Sequence, residues 1–460
     1  MGIAKLTVGD DRTEVGRGCW QVVGASDTGS IRSPLERTGG EMDASSCQVL
    51  SGSVRQGFRH WLVHFLPALA SALLLPLSFA GAVRAQEPFK LGVLNDIGGS
   101  FADLGGRGSI LAAQMAVDDA GGQVLGRRIV IISADSQNKP DVATGIARQW
   151  FDAEKAEAII DPVPSNVALA VMDLARERNK MVIVASSGLA DVTGKACTHT
   201  SFQWAYDTVV LANSTASTVV KEGHKKWFFI TADVAFGHSL ANASKAVVLA
   251  NGGTVVGEVK HPYITSDFSS FIFQAQTSGA DVIALANSGA DATNSVKQAI
   301  EFGVGQSNQK LVSLLAFVTD IKSLGLERAK GLLLTESFYW DLNDETRAWS
   351  KRFGERFSGR MPSMAHAAVY SGVSHYLKAI AAAGTSDARV VADKMRELPI
   401  NDVTMKNGRA RNDGRVVHDF YLFQVKAPQE SKGPWDLYNL VRTVPAAEVT
   451  PPEGATGCLF

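Results

Sequence analysis

Short apolar segments that alternate with amphipathic segments fill the chain from residue 89 onward. Residues 181–184 and 227–230 contain only apolar side chains. Continuous apolar strands of this kind are typical of parallel sheets that are covered on both faces. The segments between strands, such as 140–153, repeat apolar residues at helical spacing. Strands and helices in alternation predict right-handed β–α–β units, and therefore the α/β fold class with parallel sheets.

The predicted elements are too many for one sheet. Strands are predicted at 89–95, 127–134, 157–161, 180–185, 226–231, 254–260, 281–285, 310–315 and 331–336, with a β-hairpin at 418–426 and 435–441. Helices are predicted at 109–120, 140–153, 165–178, 208–222, 237–250, 267–278, 290–303, 321–325, 344–357, 365–383 and 387–398. Residues 86–460 also exceed the size of one ordinary core, so we expect two doubly wound parallel-sheet lobes.

Three hinge crossings are expected between the two lobes, near residues 205–208, 336–341 and 413–419. They assign 86–207 and 337–415 to an N-terminal lobe, and 208–336 and 416–460 to a C-terminal lobe. Open parallel sheets bind ligands outside the carboxyl ends of their strands. The predicted ligand site is therefore a cleft between the lobes, lined by the loops that follow strands.

The segment before the first strand has the parts of a secretory signal. Arg55 and Arg59 precede an apolar run at 61–82, and short side chains occupy the positions up to Ala85. We therefore predict a signal peptide at 55–85, cleavage after Ala85 and export from the cytoplasm. Two prolines interrupt the apolar run, which argues against a retained membrane helix. An uncleaved anchor stays open as the alternative.

Residues 1–54 are predicted to be a non-domain N-terminal extension. They are rich in Gly, Ser, Arg and Asp and have neither helical nor alternating periodicity. Two explanations stay open: an upstream extension of the reading frame with a later true start, such as Met42, or a disordered N-terminal tail.

The charge balance argues against nucleic acid and against an anionic membrane surface as partners. Residues 86–460 contain 37 basic and 39 acidic side chains. A net charge this small gives no electrostatic reason to expect nucleic acid or an anionic membrane surface as a partner.

Cysteine usage predicts a disulfide. Only Cys197 and Cys458 remain after residue 85, and two cysteines in an exported protein favour one disulfide over a metal site, which needs three or four ligands. A bond between them would close a very long loop and contribute up to ~5 kcal/mol by chain entropy. Two unpaired thiols are the alternative.

Two neighbouring loops of the first lobe predict a carboxylate site. Ser165, followed by Asn166, stands at a helix start, where free backbone amides and the helix dipole favour an anion. Ser186, Ser187 and the Gly188 amide follow the next strand and would complete the site. Alternatively, Ser165 is only an N-cap.

Other candidates have an equally ordinary alternative. Phe236, Tyr206 and Phe101 are predicted to form apolar or aromatic walls, or else to belong to the core. Asp233 and Asp320 are candidates for holding a ligand cation, or else they cap helices.

Motifs for cofactor or catalytic chemistry are not found. The Gly105-Gly106-Arg107-Gly108 loop lacks the spacing of a dinucleotide fingerprint and lies about ten residues beyond its strand. The sequence has no phosphate-binding loop and no nucleophile elbow, and its histidines have no metal-ligand spacing. We therefore predict no cofactor, no metal and no catalytic residue. Ser-His-Asp chemistry stays open, because sequence order alone does not exclude it.

Residues 88–460 resemble the type I periplasmic solute-binding proteins of the leucine/isoleucine/valine class, which serve ABC importers. The segments that carry the resemblance are VTGK (192–195), FQWAYD (202–207), KWFFIT (226–231), AFGH (235–238), TSDFSS (265–270), SFYWD (337–341), DFYLFQVK (419–426) and GPWD (433–436). The resemblance implies two hinged lobes that close on a small ligand, after which the closed form docks on a membrane permease.

The resemblance also implies roles for individual residues. The ligand carboxylate would contact Ser165 and the backbone of Ser187, Gly188 and Leu189. An aromatic side chain at Phe236, together with Asn287, would line the second lobe.

The position that binds the ligand ammonium group departs from the family pattern. In amino-acid binders of this family an acidic side chain of the second lobe takes the ammonium group. The matching loop here has Phe317, with Asp320 three residues later.

The predicted function is therefore the periplasmic, ligand-binding component of an ABC importer. It would act as a monomer, bind a small carboxylate such as a branched-chain or other amino acid, and dock on ABC permease subunits. Aromatic or short aliphatic acids without an amine are an alternative ligand class. A sensory receptor partner and an exported enzyme are alternative functions.

Overall fold

The computed structural model describes residues 86–305 and 309–459. The predicted N-terminal extension (1–54) and signal peptide (55–85) lie outside these residues. Within the described part of the chain, no helix combines the length and the apolar composition that a membrane span requires.

The first sheet has six strands and is parallel except at one edge. It contains β1 (Phe89–Asn95), β2 (Gln123–Val124), β3 (Arg127–Asp135), β4 (Ala156–Ile160), β5 (Met181–Val184) and β6 (Ser201–Gln203). The spatial order is β2-β3-β1-β4-β5-β6, and only β2 runs antiparallel to its neighbour. All four residues of β5 are buried, as expected for an apolar strand with helices on both faces.

The second sheet has four strands, all parallel. It contains β7 (Lys226–Ala232), β8 (Thr254–His261), β9 (Val282–Ala286) and β10 (Lys310–Ser313) in the order β10-β9-β7-β8. The buried apolar strands β7 and β9 occupy the centre, and β8, which alternates exposed and partly buried residues, lies at the edge. The two parallel sheets confirm the predicted α/β class.

Antiparallel strands complete the fold. A third sheet joins β11 (Leu333–Glu336), β14 (Phe420–Val425) and β15 (Tyr438–Val444), and β12 (Arg409–Ala410) pairs with β13 (Val416–Val417). The hairpin predicted near the C-terminus is confirmed. The expectation that 331–336 continues a parallel sheet is wrong, because Leu333 pairs with Gln424 and Glu336 with Tyr421 in antiparallel register.

The helices follow the predicted positions closely, and each is bounded as follows. They are α1 (Gly106–Asp119), α2 (Pro140–Asp152), α3 (Ser165–Glu177), α4 (Thr208–Leu211), α5 (Ser217–Lys221), α6 (Ala235–Ala250), α7 (Ser269–Thr277), α8 (Ala290–Glu301), α9 (Val318–Leu324), α10 (Leu326–Ala329), α11 (Asp344–Arg356), α12 (Met364–Ala383), α13 (Ala388–Glu397) and α14 (Ala446–Val449). Short 3₁₀ turns occupy Ala190–Thr193 and Pro428–Glu430.

One predicted helix is not uniform. A π-helical segment, Ala212–Ala216, separates α4 from α5 within the predicted helix at 208–222. The Ser214 hydroxyl donates a hydrogen bond to the Val210 carbonyl, 2.8 Å away. A serine that bonds back to the preceding turn competes with the regular helical bond, so the helical backbone widens at this point.

The predicted disulfide is confirmed: Cys197 and Cys458 are bonded, with their Cα atoms 5.6 Å apart. The lobe boundaries stay a proposal. Two sets of contacts support them. α12 packs against α1, the helix that follows the first strand of the first sheet. β14 and β15 pair with β11, which follows the second sheet in the chain.

Candidate functional site

A cavity of about 220 Å³ lies between the loops of the two parallel sheets. The loops of the first sheet contribute Phe101, Leu104, Val163, Pro164, Ser165, Asn166, Ser186, Ser187 and Gly188. Those of the second sheet contribute Ala232, Val234, Ala235, Phe236, Tyr263, Ser288 and Asp291. These loops follow the carboxyl ends of strands, where an open parallel sheet binds its ligands.

Ser165 and Asn166 lie where the sequence places them, at the first two positions of α3. Ser165 is buried and Asn166 is exposed, and both line the cavity. The preceding Pro164 has no backbone N–H, so the N–H groups available at this helix start belong to the residues that follow it. The partial positive charge of the helix start faces a cavity without basic side chains among its described lining residues.

Hydrogen bonds from two buried side chains, Tyr206 and Gln203, hold the loop after β5. The Tyr206 hydroxyl donates to the Ser186 carbonyl over 2.7 Å, and the Gln203 amide donates to the carbonyls of Ser187 and Leu189 over 3.1 Å each. These three hydrogen bonds fix the backbone of the loop. Ser186, Ser187 and Gly188 therefore reach the cavity wall on a rigid backbone.

Leu189 and Tyr206 are two predicted residues that do not line the cavity. Both are buried, and Tyr206 packs edge-to-face against Phe317 with ring centroids 5.9 Å apart. Burial raises the pKa of the Tyr206 hydroxyl, so it stays protonated and keeps donating to Ser186. Gly188 permits this packing, because a Cβ there would lie 2.3 Å from the Tyr206 ring.

Asp161 supports the same loop and is absent from the sequence-based candidates. Its carboxylate accepts hydrogen bonds from the Ser186 N–H at 2.7 Å and the Ser109 hydroxyl at 2.6 Å. Asn95 adds a longer bond of 3.4 Å. Complete burial raises the pKa of Asp161, and these hydrogen bonds offset part of the rise. Asp161 thus connects the ends of β1, β4 and β5 beneath the serines.

Aromatic rings form the apolar walls. Phe236, the second residue of α6, lines the cavity as predicted. Phe101 and Tyr263 stack with centroids 6.3 Å apart and an interplanar angle of 19°. The Asp96 carboxylate holds the loop that carries Phe101 by accepting the backbone N–H groups of Gly99 and Phe101.

Asn287 lies beside the cavity but does not line it. It is fully buried, and its amide nitrogen lies 3.1 Å from the Ser295 hydroxyl and 3.3 Å from His261 Nε2. The Asn287 side chain therefore points into the interior next to the second sheet. Ser288 and Asp291, which follow it in the chain, line the cavity instead.

Asp233, Phe317 and Asp320 also lie off the cavity wall. Asp233 is exposed and bonds to His238 over 2.7 Å. Phe317 is fully buried, and its backbone N–H donates to the Asp320 carboxylate over 3.0 Å. Burial raises the pKa of Asp320 to about 7, and this helix-start hydrogen bond opposes the rise. These contacts match the helix-cap alternative for Asp320.

Tyr263 and Asp291 are cavity residues that the sequence interpretation missed. Tyr263 lies in the loop after β8, so the carboxyl-end rule applied to that strand would have found it. Asp291 lies in the first turn of α8, where an acidic residue is expected for helix stability alone. Its place in the cavity depends on the tertiary structure.

No group of three or more His, Cys, Asp or Glu side chains with metal-binding geometry occurs within residues 86–305 and 309–459. The polar groups of the cavity are hydroxyls, amides and one carboxylate. This set suits hydrogen bonding to a small organic solute.

Residues 88–434 match the periplasmic binding protein family. The chain belongs to this family. Its relatives include proteins named as Leu/Ile/Val-binding homologues from Brucella, and its fold is that of the type I, leucine/isoleucine/valine-binding class. The resemblance stated from the sequence is confirmed. As a periplasmic binding protein, it is a solute-binding protein of ABC transporters.

Two crystal structures are similar to this periplasmic binding protein over most of its length. A periplasmic binding protein from Burkholderia mallei is 43% identical, with a TM-score of 0.78 over 81% of this chain and 98% of its own. A branched chain amino acid ABC transporter periplasmic ligand-binding protein from Burkholderia xenovorans is 36% identical, with a TM-score of 0.74 over 80% and 99%.

A curated relative is more distant in sequence. The amino acid binding protein of Pseudomonas aeruginosa is 24% identical over 366 residues, which are 78% of this chain and 94% of the relative.

Proposed function

We propose that this periplasmic binding protein holds a small carboxylate ligand in the cavity between its two parallel sheets and presents it to the membrane subunits of an ABC importer. The observation that carries the proposal is that Ser165, at the start of α3, and the Ser186–Ser187–Gly188 loop line the same cavity. A helix start flanked by hydroxyl groups favours a negatively charged group.

The cavity size supports a ligand of metabolite size. About 220 Å³ is below the roughly 300–1,000 Å³ of sites for drug-sized ligands. Apolar side chains such as Leu104, Val163 and Val234 form much of the lining. The ligand therefore combines one anionic end with an apolar body.

Amino acids are the first candidate ligands. The Burkholderia xenovorans relative is named for branched chain amino acids and is 36% identical to this chain. Aromatic acids without an amine are the second candidate, because the rings of Phe101, Phe236 and Tyr263 face the cavity.

Binding without turnover is part of the proposal. No histidine, lysine or cysteine is among the described lining residues of the cavity, so its serines have none of these side chains beside them in the lining to activate them as nucleophiles. We further propose that the protein is exported by the 55–85 segment and acts as a monomer. Conversion of any ligand by the purified protein would support the enzyme alternative, and binding to a receptor instead of a permease would support the sensory one.

A thermal-shift screen of amino acids and aromatic acids, followed by isothermal titration calorimetry, tests the proposed function. A ligand that binds only the folded state raises the melting temperature by mass action. We expect one-to-one binding of at least one carboxylate and no binding of the matching amide, which has no negative charge. Equal binding of acid and amide would contradict the proposal.

Replacing Ser165 tests the anion site directly. We expect Ser165→Ala to weaken binding of the carboxylate by roughly 1–3 kcal/mol, the value of a hydrogen bond to a charged group. Ser269→Ala is the matched control, since Ser269 also begins a helix but does not line the cavity. Unchanged affinity in Ser165→Ala, or the same loss in the control, would remove Ser165 from the site.

A further inference from the structure

One carboxylate lies in the part of the cavity wall that the second sheet supplies. Asp291 is 3% exposed, and its two oxygens accept the backbone N–H groups of Thr265 at 2.8 Å and Ile264 at 3.1 Å. An ionised carboxylate has about four acceptor positions. Asp291 therefore keeps acceptor capacity beyond these two bonds, and it lines the cavity.

No positive charge in the cavity balances this carboxylate. Among the described residues that line the cavity, none is Lys, Arg or His. Burial raises the pKa of Asp291, and the hydrogen bonds from the Thr265 and Ile264 N–H groups oppose the rise.

His261 contributes no charge of its own. Its Nδ1 lies 2.8 Å from the Pro262 carbonyl, and its Nε2 lies 3.3 Å from the Asn287 amide nitrogen. An amide nitrogen can only donate, so Nε2 accepts and the proton is on Nδ1. Burial lowers the pKa of His261 and keeps the ring neutral.

A ligand carboxylate at Ser165 would add a second negative charge to the same small cavity. The effective dielectric constant inside a protein is lower than that of water. Repulsion between Asp291 and the ligand carboxylate would therefore weaken ligand binding by about 10- to 100-fold. A ligand that also carries an N–H or O–H group can donate it to Asp291 and offset this cost. A ligand without a donor cannot.

We infer that Asp291 is a specificity-determining residue that selects carboxylate ligands carrying a hydrogen-bond donor, either an ammonium or a hydroxyl group. The inference rests on the proposed function, since it assumes a carboxylate bound at the start of α3. It assigns the recognition of the donor to the first turn of α8, and not to Asp320, which lies off the cavity wall.

Two ligand pairs and one isosteric variant test the inference. L-leucine and 4-methylpentanoate differ by the ammonium group, and 4-hydroxybenzoate and benzoate differ by the hydroxyl group. Isothermal titration calorimetry on the wild type should give at least about tenfold tighter binding of the donor-bearing member of one pair. In Asp291→Asn that member should bind about tenfold more weakly, whereas its donor-free partner should bind more tightly because the repulsion is gone.

If Asp291→Asn changes the affinities for the two ligands of a pair in opposite directions, Asp291 recognises the donor group of the ligand and is not only a structural residue. A loop disturbed by loss of the Thr265 and Ile264 contacts would weaken both members by the same factor, and that result would overturn the inference, as would no shift in either. Asp233→Asn is the control, since Asp233 is an exposed acid after β7 that does not line the cavity, and it should change neither member.

The outcomes also separate this inference from the proposed function. If carboxylates bind and depend on Ser165 while Asp291→Asn keeps the wild-type preference, only the Asp291 assignment fails. If none of the four acids binds the wild type, both the proposed function and the Asp291 assignment fail.

Discussion

Three carboxylates with a raised pKa lie around the cavity, and they have different tasks because they contact different groups. Asp161 bonds to Ser109 and Ser186 and positions a loop. Asp291 lines the cavity itself, and Asp320 accepts the N–H of Phe317 at a helix start. Burial is the main cause of the raised pKa in all three. A raised pKa alone therefore does not identify the ligand site, whereas a place in the lining of the cavity does.

The titration of Asp320 gives a pH-dependent stability. Its pKa is about 7 in the folded protein against an ordinary value of 3.8, so the folded state keeps a proton that the unfolded chain has lost. The contribution of Asp320 to the free energy of unfolding should fall as pH rises from about 4 to about 7 and then level off. In Asp320→Asn this decline should shrink by about 2 kcal/mol, a value reduced for partial solvent access.

Urea unfolding of the wild type and Asp320→Asn between pH 4 and pH 8 measures this difference. The asparagine can still accept the Phe317 N–H, so the helix start is preserved. Parallel profiles for wild type and Asp320→Asn would contradict the prediction.

At the scale of helices and strands, burial made most elements predictable. β5 and β7 are continuous apolar segments, and only a strand covered on both faces suits them. β6, Ser201–Gln203, has no such pattern, and its position depends on pairing with β5 and on the bond from Gln203 N–H to the Gly414 carbonyl. A partner more than two hundred residues away is not visible in a local pattern.

Part of the candidate site was predictable from one rule, that open parallel sheets bind ligands at the carboxyl ends of their strands. Ser165, the Ser186–Gly188 loop and Phe236, which the rule selects, line one cavity. The rule gives no side-chain direction, so it also selected Asn287, which points into the interior. Asp291 was missed because only its long-range bonds to Ile264 and Thr265 distinguish it from an ordinary helix-start acid.

The loop between β9 and α8 contains a glycine that the approach of the two sheets requires. Gly289 has φ +62°, and a Cβ there would lie 2.8 Å from the Ser100 carbonyl oxygen and 2.9 Å from the Phe101 ring. Gly289→Ala would push this loop away from the loop after β1. We expect at least about tenfold weaker ligand binding, measured by calorimetry, because the cavity could no longer close.

Gly303→Ala is the control for backbone strain. Gly303 also has a positive φ, +82°, but a Cβ there would meet nothing within 4 Å. Both variants should lose some stability, and only Gly289→Ala should lose affinity. An equal loss of affinity in both, or none in either, would show that contact at Gly289 does not control the cavity.

For the whole molecule, the contacts between distant segments favour the proposed hinge positions. Asp207 caps α4 by accepting the N–H groups of Val209 and Val210, and it forms a buried ion pair with Arg415. Arg415 also donates to the Thr193 hydroxyl over 3.0 Å. The Asp207–Arg415 ion pair brings together two of the proposed crossings, 205–208 and 413–419.

The C-terminal segment contacts residues near the same two crossings. The Asn213 amide donates to the Val449 carbonyl and the Arg411 guanidinium to the Pro451 carbonyl, before the disulfide joins Cys458 to Cys197. The end of the chain is thereby fixed to segments that the sequence assigned to different lobes. We propose that the two lobes close on the ligand by motion about these crossings.

A crystal structure of the protein with its tightest-binding carboxylate tests the central claim most directly. We predict that the ligand carboxylate lies within hydrogen-bonding distance of Ser165 and the Ser186–Gly188 loop, with its apolar body between Phe236 and Tyr263. A ligand bound outside this cavity, or inside it with the carboxylate turned away from the start of α3, would contradict the account.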